Sequence, residues 1–411
     1  MRGAQSGTAC PGSKRGWGRS ELDEEGTRLG WPSEEAVSPQ GRAQPPVGST
    51  LGLEEEYHVL DAETFALHDD DALVAAAAEG RFGSRVHAEI ATTQLEIATA
   101  VCGSLDELRE ELAASRREAA AAAATAGGVI MAASTHPFAS WRDQRLTCRP
   151  RYLAMLERWG VLALQQVICG CHVHVSVPDL DSAVAIMDHA RPYLSVLLAM
   201  TGSSPFHEGI DTGYDSYRTE WFARWPVAGP AEPLGDTATY LSLVQRLKAA
   251  GVIDDASHLY WDVRPSLRYP TLEFRVADMC TDIDDAVLLA ALIRALCRVL
   301  ARRVQVGEPP LAVRSEVLRG ARWRAARYGL RDRLLDVHAG RLVSAAVAVR
   351  GLLGELRDDL EDRGEWDEVE ALALRLLARG TSAQHQRTWL HDGLSQEQIA
   401  QRLARATLAG L

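Results

Sequence analysis

The stretch that decides the fold is Leu51-Gly52-Leu53-Glu54-Glu55-Glu56-Tyr57-His58-Val59-Leu60, in which three consecutive acids interrupt an apolar, strand-like segment. Side chains alternate between the two faces of a β-strand, which places Glu54, Glu56 and His58 on one face and Leu53, Glu55, Tyr57 and Val59 on the other. Two carboxylates on neighbouring positions of one face repel each other, and a half-buried strand tolerates them mainly when cations lie between them. The segment therefore indicates a magnesium site, and the alternative is an exposed edge strand whose acids discourage aggregation.

The composition limits the class of protein. The chain has 411 residues, of which 46% are hydrophobic and 24% charged, as is typical of a soluble globular protein long enough to be an enzyme. Its formal net charge of −12 argues against a nucleic-acid partner, because phosphate binding needs clustered Lys and Arg. The most apolar run, residues 287–300, is interrupted by Arg294 and Arg298, and no apolar signal core begins the chain, so we expect no membrane partner. Seven scattered cysteines are typical of reduced thiols in a cytoplasmic protein.

The domain organisation follows from where hydrophobic periodicity begins. Residues 1–48 are rich in Gly, Ser, Pro, Arg and Glu and have no such period, so we expect a disordered tail. We expect residues 49–411 to form a single catalytic domain with a helical C-terminal third, in which helices follow Thr281 with breaks near Pro309-Pro310 and Gly340. Other helices are predicted near residues 71–79, from a Ser104/Glu107 capping box to Gly127, and over residues 181–200 with an interruption at Pro192.

A second pair of acids lies in the segment Val86–Ala98, which reads VHAEIATTQLEIA. The seven-residue gap between Glu89 and Glu96 gives them opposite strand parity, so a turn or bulge near Thr92 and Thr93 is needed for both to face one site. On a helix the two would share a face, and this alternative stays open. A short buried strand is predicted at residues 129–133.

The segment Val167–Val177, VICGCHVHVSV, has the clearest alternation in the chain. Cys169 and Cys171 fall on the apolar face with the valines, whereas His172 and His174 fall on the other face. A Cys-x-Cys next to a His-x-His suggests zinc, but opposite faces prevent one tetrahedral cluster from using both. The cysteines are interpreted as small core residues.

Two further strands follow a polar, glycine-punctuated loop at residues 209–218 that is too long to be only a connection. These strands are predicted at residues 260–264 and 271–276. In the second, Thr271, Glu273 and Arg275 share a face opposite Leu272, Phe274 and Val276.

The chain has no Walker loop, no G-x-G-x-x-G after a strand, no G-x-S-x-G elbow and no H-E-x-x-H. It has instead several strands that carry acids or histidines on one face and apolar residues on the other. Carboxylate oxygens bind hard divalent cations, and magnesium is usually held together with substrate phosphates. Arginines on the same strands would bind the carboxylates or phosphates of an anionic substrate. This combination favours phosphoryl transfer by positioning and charge neutralisation.

A set of motifs, in this order, resembles the type 2 glutamate–cysteine ligase family of bacterial carboxylate–amine ligases: TLGLEEEYHVLD, QLEIAT, CGCHVHVSVPD, SSPFHEGIDTGYDSYR, YWDVRPS and TLEFRVADMCTD. The likeness is strong from Thr50 to Thr281 and weak at Gly380–Arg387, GTSAQHQR. The resemblance implies an α+β, glutamine-synthetase-like fold, in which a curved, mainly antiparallel sheet forms an active-site funnel with helices packed outside. It also implies ATP as co-substrate and two or three Mg²⁺ ions, with Mn²⁺ as an alternative.

The resemblance also implies roles for ten residues. The implied metal ligands are Glu54, Glu56, Glu89, Glu96, His172 and Glu273. Arg264 and Arg275 resemble catalytic contacts to phosphate or to a substrate carboxylate. His174 and Arg218 are further candidates for substrate or ATP binding. Their alternatives are a strand histidine bonded to the backbone and an arginine in a loop salt bridge.

The function that we expect is ATP-dependent formation of a γ-glutamyl amide through an acyl phosphate, with cysteine as the first candidate for the amine. One alternative is a metal-dependent hydrolase that uses His172, His174 and the carboxylates without ATP. Another is a binding relative without turnover. The expected partners are small-molecule substrates, and a homodimer is left open. The sequence does not fix the amine acceptor, because its pocket is formed by loop side chains.

Overall fold

The computed structural model describes residues 45–69, Ala77, Gly80 and residues 82–411. Residues 1–44 of the predicted tail, and most of the helix predicted near residues 71–79, lie outside this described part. The last predicted tail residues contact the rest of the protein. Val47 packs against the main core, and the Gly48 amide donates a hydrogen bond of 2.9 Å to the Ser176 carbonyl.

The strands have the following bounds: β1 Leu51–Asp61, β2 Val86–Ala88, β3 Gln94–Ala98, β4 Gly128–Met131, β5 Cys171–Ser176, β6 Phe206–His207, β7 Ile210–Asp211, β8 Val263–Pro265, β9 Thr271–Phe274, β10 Arg333–Asp336 and β11 Arg341–Ser344. Among the described residues, seven strands form one sheet in the order β2-β3-β1-β5-β9-β8, and β4 also pairs with β1. All the pairings in this sheet are antiparallel. The eleven-residue β1 has three partner strands and lies at the centre.

The strand predictions are confirmed with shorter bounds. β2 and β3 form an antiparallel pair whose connection turns at Thr92 and Thr93, so the helical alternative for residues 86–98 is wrong. The two later strands are only three and four residues long, and β5 begins at Cys171.

The helices have the following bounds: α1 Leu105–Thr125, α2 Pro150–Trp159, α3 Val161–Leu164, α4 Leu180–Ala190, α5 Leu194–Thr201, α6 Tyr217–Phe222, α7 Thr237–Ala249, α8 Ile283–Gln305, α9 Ser315–Tyr328, α10 Ala345–Asp362, α11 Trp366–Arg379, α12 Ser382–His391 and α13 Gln396–Thr407. The break at Pro192 is confirmed, because a 3₁₀ turn over Arg191–Tyr193 separates α4 from α5. Ser104 caps α1 by accepting a hydrogen bond from the Glu107 amide. In a capping box, the Glu107 carboxylate would accept a hydrogen bond from the Ser104 amide. In the structure it accepts one from the preceding amide, that of Gly103, at 2.7 Å.

The C-terminal third is mainly helical with breaks near the two predicted positions, but the break near Gly340 contains a pair of strands that the sequence did not predict. There β10 and β11 form an antiparallel pair, and Gly340 has a φ of 64° in the turn between them. Glycine adopts a positive φ without steric strain because it has no Cβ, which explains the break predicted at this position. The predicted break at Pro309-Pro310 falls between α8 and α9.

Helices cover the apolar face of the sheet. The Leu53, Tyr57 and Val59 side chains on that face of β1 belong to the main core. Helix α1 and helix α8, which is buried over residues 286–298, contribute most of their apolar residues to this core. Burying these aliphatic and aromatic side chains supplies the main driving force for this layer. The polar face of the sheet is left for a cavity.

One buried ion pair crosses this apolar layer. Arg116 of α1 is fully buried, and its guanidinium contacts the Glu55 carboxylate at 2.5 and 3.1 Å. Its remaining donors reach the carbonyls of Cys280, Thr281 and Thr407 at 2.6–3.1 Å. The Tyr57 hydroxyl donates to Glu55 at 2.6 Å. The pair therefore joins β1, α1, the start of α8 and the end of α13.

Two other expectations concern cysteines and membranes. Cys102, Cys169, Cys171, Cys280 and Cys297 are buried free thiols. Cys148 forms a disulfide, so the expectation that every thiol is reduced does not hold there. Within the described residues, no helix combines the length and the apolar character that crossing a membrane requires.

Arg116→Met should lower the free energy of unfolding by about 3 to 5 kcal/mol, because it leaves the Glu55 carboxylate buried without its cation. Denaturant unfolding measures this change. Arg375→Met is the matched control, because it removes an exposed ion pair to Asp284 and should change stability by less than about 0.5 kcal/mol. Equal effects of the two substitutions would contradict the importance of the buried pair.

Candidate active site

Strand register brings the polar side chains into a row across the sheet. His87 of β2 lies opposite Glu96 of β3, which in turn lies opposite Glu56 of β1. Glu54 of β1 lies opposite His172 of β5. Farther along the sheet, Glu273 of β9 lies opposite both His174 of β5 and Arg264 of β8. Because residues opposite each other in neighbouring strands project from the same face, the row forms the floor of one site.

The site is a cavity of about 470 Å³. All ten residues singled out from the sequence line it: Glu54, Glu56, Glu89, Glu96, His172, His174, Arg218, Arg264, Glu273 and Arg275. The opposite wall is formed by α2, α6 and the segments around residues 257–260 and 266–269. His58 does not line the cavity, although its strand parity matches that of Glu54 and Glu56. It is fully buried beside His136.

Three overlapping groups of side chains have potential ligand atoms within 4.8 Å of one another: Glu54–His174–Glu273, Glu54–Glu96–His172 and Glu56–Glu89–Glu96. Glu54 and Glu96 each belong to two groups. Cys171 at the start of β5 and Cys169 just before it are buried in the main core, and neither takes part in these groups, as the strand parity predicted.

The charges differ between the two ends of the row. At the Glu96 end, burial and the neighbouring carboxylates of Glu54, Glu89 and Glu56 raise the pKa of Glu96 well above its ordinary value. Burial also raises the pKa values of Glu56 and Glu89. At the other end, burial opposes ionisation of Glu273, but Arg264 and Arg275 outweigh it and hold its pKa far below the usual range. At the Glu96 end, burial and neighbouring carboxylates therefore outweigh the nearby cations, whereas at the other end two arginines balance the Glu273 carboxylate.

The side chains present fit divalent cations. His174 Nε2 lies 3.3 Å from Glu54 Oε1, and His172 Nε2 lies 3.7 Å from Glu56 Oε1. Both nitrogens are buried, and neither has a hydrogen-bond partner among the described residues. Unsatisfied buried nitrogens beside clustered carboxylates are the donor set that a cation would complete. Carboxylate-rich sites of this kind suit magnesium or manganese.

His174 is held by a side chain and not by the backbone. Its Nδ1 lies 2.9 Å from Thr271 Oγ1, which directs Nε2 towards Glu54. His172 Nδ1 lies 3.1 Å from Glu54 Oε2. Fixing one ring nitrogen through a hydrogen bond is how proteins orient metal-binding histidines. The geometry thus places His174 among the candidate metal ligands, in addition to its predicted role in substrate binding.

The three arginines differ in how many donors remain available. Arg264 binds both oxygens of Glu273, at 2.9 and 3.2 Å, and its Nη1 donates to two carbonyls. Arg275 also binds Glu273, but its buried Nε has no partner among the described residues. Arg218 lies in α6 and not in the loop where the sequence placed it. It forms no salt bridge with a described residue, its Nε is unpartnered, and its weak contacts of 3.4 and 3.5 Å reach the Arg275 carbonyl.

Sequence reasoning missed the arginines at the mouth of the cavity. Arg149 and Arg151 lie at the start of α2, and Arg268 lies on the opposite side, between β8 and β9. None of the three forms a salt bridge within the described part of the chain. The Tyr152 hydroxyl anchors α2 to the Ala88 carbonyl at 2.6 Å. No local pattern signals these arginines, because their proximity to the acids depends on how α2 packs over β2.

Comparison with known proteins gives one consistent result. The model of the family described as "Glutamate-cysteine ligase family 2 (GCS2)" matches residues 50–406. A protein of Rhodopirellula baltica, provisionally named glutamate–cysteine ligase 2, is 38% identical over 82% of this chain and 92% of its own length. A similarly named protein of Saccharopolyspora erythraea is 43% identical, over 82% and 89%.

Solved structures show the same fold. The Francisella tularensis glutamate–cysteine ligase, solved in complex with AMP, superposes with a TM-score of 0.65 at 12% identity and covers 88% of this chain and 89% of its own. A bifunctional glutathione synthetase from Pasteurella multocida has a TM-score of 0.61 at 16% identity and covers 88% of this chain and 53% of its own. These matches confirm the predicted architecture of an antiparallel sheet with packed helices.

The contrast between the two ends of the row predicts opposite effects of two similar substitutions. In protein treated with a chelator, Glu96→Gln should raise the melting temperature, because it removes one of several repelling carboxylates. Glu273→Gln should lower it, because Arg264 and Arg275 lose their shared anion. Added MgCl₂ should stabilise the wild type more than Glu96→Gln. Thermal melts with and without MgCl₂ test this, and effects of the same sign would contradict the proposed charge distribution.

Proposed function

The chain belongs to glutamate–cysteine ligase family 2, a family of carboxylate–amine ligases, and on that premise we propose that it uses ATP to join the side-chain carboxylate of glutamate to an amine, with cysteine as the first candidate. The observation that carries the proposal is the cavity, in which three groups of potential metal ligands lie beside two arginines that keep free donors. The Francisella ligase, which has the same fold, was solved in complex with AMP, and this supports an adenine nucleotide as a substrate. We also propose that residues 49–411 act as one catalytic domain.

The floor residues have a defined task in this proposal. Glu54, Glu56, Glu89, Glu96, His172, His174 and Glu273 would hold the metal ions. Magnesium bound there would neutralise the charge of the ATP phosphates and polarise the phosphoryl group that is transferred. Arg264 keeps Glu273 in position through two parallel hydrogen bonds. It acts as a positioning residue, and its donors are directed at protein groups.

Arg275 and Arg218 are the residues proposed to touch the reacting anions. The free Nε of Arg275 and the guanidinium of Arg218 lie in the cavity lining beside His172 and Glu56. A planar guanidinium in a water-poor site stabilises charge on phosphoryl or carboxylate oxygens more strongly than it would in water.

The reaction consists of two displacements. A side-chain carboxylate oxygen of glutamate attacks the γ-phosphorus of ATP, and the bond to ADP breaks. The amine nitrogen then attacks the acyl carbon, the C–O bond to phosphate breaks, and the amine loses one proton. The products are a γ-glutamyl amide, ADP and phosphate. No side chain of the protein acts as a nucleophile, because both displacements occur between substrates that the site holds close together and correctly oriented.

The upper part of the cavity suits an amino-acid acceptor. Its wall carries apolar side chains from Ile90, Met155, Ile168, Phe222 and Trp225, and its mouth carries Arg149, Arg151 and Arg268. An apolar wall next to arginines that have no ion-pair partner among the described residues fits a molecule with a small apolar or thiol side chain and a carboxylate.

Isotope transfer tests the order of bond formation. With Mg-ATP and glutamate labelled with ¹⁸O in the side-chain carboxylate, full turnover with cysteine should move one label into phosphate, which mass spectrometry detects. Glu54→Gln should reduce this transfer by about 10²- to 10³-fold, because it removes a ligand charge at nearly constant volume. Circular dichroism and a melting curve must show that the Glu54→Gln variant is folded, so that the loss of transfer is not due to unfolding. Unlabelled phosphate would exclude the acyl phosphate, and turnover without ATP would favour the metal-dependent hydrolase.

Comparing cysteine with cysteamine tests the acceptor, because the two share an amine and a thiol but only cysteine has a carboxylate. The wild type should prefer cysteine by kcat/KM. Arg151→Ala should reduce that preference by raising the KM for cysteine, while the KM for cysteamine stays nearly constant. If both acceptors are used equally by the wild type, the mouth arginines do not recognise the acceptor carboxylate.

A further inference from the structure

Arg218 lies in the first turn of the short helix α6, directly after a segment with little regular structure. Between α5 and α6, residues 202–216 contain only the two-residue strands β6 and β7. The guanidinium nevertheless fits closely in the cavity wall, because a Cβ on Gly170 would lie only 2.3 Å from Arg218 Nη2. Groups outside the segment must therefore fix the position of Arg218.

Asp278 provides the inner anchor. Its buried carboxylate accepts hydrogen bonds from the Ser203 amide at 2.9 Å and from the Ser204 and Ser216 hydroxyls at 2.6 Å each. The Ser204 hydroxyl oxygen in turn accepts from the Arg218 amide at 3.0 Å. One carboxylate therefore ties both ends of the segment together and connects them to the backbone of Arg218.

Arg387 of α12 provides the outer anchor. Its Nε donates to the Asp211 carboxylate at 3.0 Å, its Nη1 to Asp215 Oδ1 at 2.6 Å, and its Nη2 to the Tyr214 carbonyl at 2.6 Å. Arg331 Nε also donates to Asp215, at 2.8 Å. A single guanidinium thus bridges three positions of the segment and does not itself line the cavity.

Asp215 has almost no room to move. It is fully buried, and a Cβ on Gly329 would lie 2.2 Å from its Oδ2. The amides of Asp215 and Ser216 both donate to the Ala326 carbonyl, at 2.8 and 2.9 Å. Any displacement of Asp215 would therefore move Ser216, whose hydroxyl binds the Asp278 carboxylate that also holds Ser204.

We propose that Arg387 is a positioning residue that sets the place of Arg218 in the cavity through Asp215, Ser216 and Asp278. The proposal rests on the proposed function, because that function assigns Arg218 to substrate binding. It also gives a task to the C-terminal stretch Gly380–Arg387. There, Gln386 Nε2 donates to the Ser203 carbonyl at 2.9 Å and the Ala383 amide to the Gly202 carbonyl at 2.9 Å.

A double-mutant cycle with Arg387→Ala, Arg218→Ala and the combined variant tests this proposal. Arg387→Ala should lower kcat/KM by about 10²-fold, as a small displacement of a binding group can. The combined variant should lose no more than Arg218→Ala alone, because Arg387 acts through Arg218. Losses that multiply, or an Arg387→Ala enzyme with unchanged kinetics, would overturn the proposal.

Two other variants separate positioning from general destabilisation. Arg387→Lys keeps the charge but loses the planar fork, so it should retain the fold and still lose activity. Arg375→Ala removes an ion pair to Asp284 elsewhere in the C-terminal helices and should keep wild-type kinetics. If Arg387→Lys has wild-type kcat and KM, the fork has no positioning task.

Hydrogen exchange provides a readout that does not depend on turnover. Amides of residues 203–218 should exchange faster in Arg387→Ala and Arg387→Lys than in the wild type or in Arg375→Ala. If the wild type joins no amine to glutamate, the proposed function fails, and the exchange result still decides whether Arg387 orders the segment. Unchanged exchange in both Arg387 variants would overturn the positioning role even in an active enzyme.

Discussion

The alternation of side chains along β1 is the constraint on which the rest of the structure depends. It divides three consecutive acids between two environments: Glu54 and Glu56 face the cavity, whereas Glu55 enters the apolar layer behind the sheet. A carboxylate there is tolerated only with a partner, and Arg116 supplies it together with the Tyr57 hydroxyl. A shift of register by one residue would place two acids in the core and one in the cavity. A change in the register of β1 would break the buried Glu55–Arg116 pair and cost free energy. The pair therefore helps to fix the positions of Glu54 and Glu56.

The cavity floor combines two kinds of charge balance within one sheet. Around Glu273, two arginines from the same chain provide positive charge, so the chain itself already balances the charge of that carboxylate. Around Glu96, four carboxylates cluster. Burial raises the pKa values of Glu56, Glu89 and Glu96, whereas His174 and His172 outweigh burial and hold the pKa of Glu54 well below its usual value. The Glu96 end is therefore the part of the floor whose ionisation depends most on what is bound.

Most of the floor could be predicted from the sequence because strand alternation is local. The period of two placed Glu54, His172, His174 and Glu273 on the correct faces and removed the cysteines from any metal group. What could not be predicted depends on tertiary packing. Nothing near Arg116 in the sequence identifies Glu55 as its partner, and nothing near Arg151 identifies β2 as its neighbour. The β10–β11 pair was missed because two four-residue strands between helices carry too short a pattern to outweigh the helical surroundings.

Arg218 and the strand residues reach their positions by different physical means. Glu54 and Glu273 are fixed by ladder hydrogen bonds to neighbouring strands, which tolerate change in remote side chains. Arg218 has no such ladder, so its position depends on side chains from β9 onward and from α12, nearly 170 residues away at Arg387. Charge-assisted hydrogen bonds of 2.6 and 2.8 Å from Arg387 and Arg331 to the buried Asp215 can supply the needed stiffness, because water is excluded around that carboxylate. The C-terminal helices are therefore part of the active-site architecture, although they contribute no residue to the cavity lining.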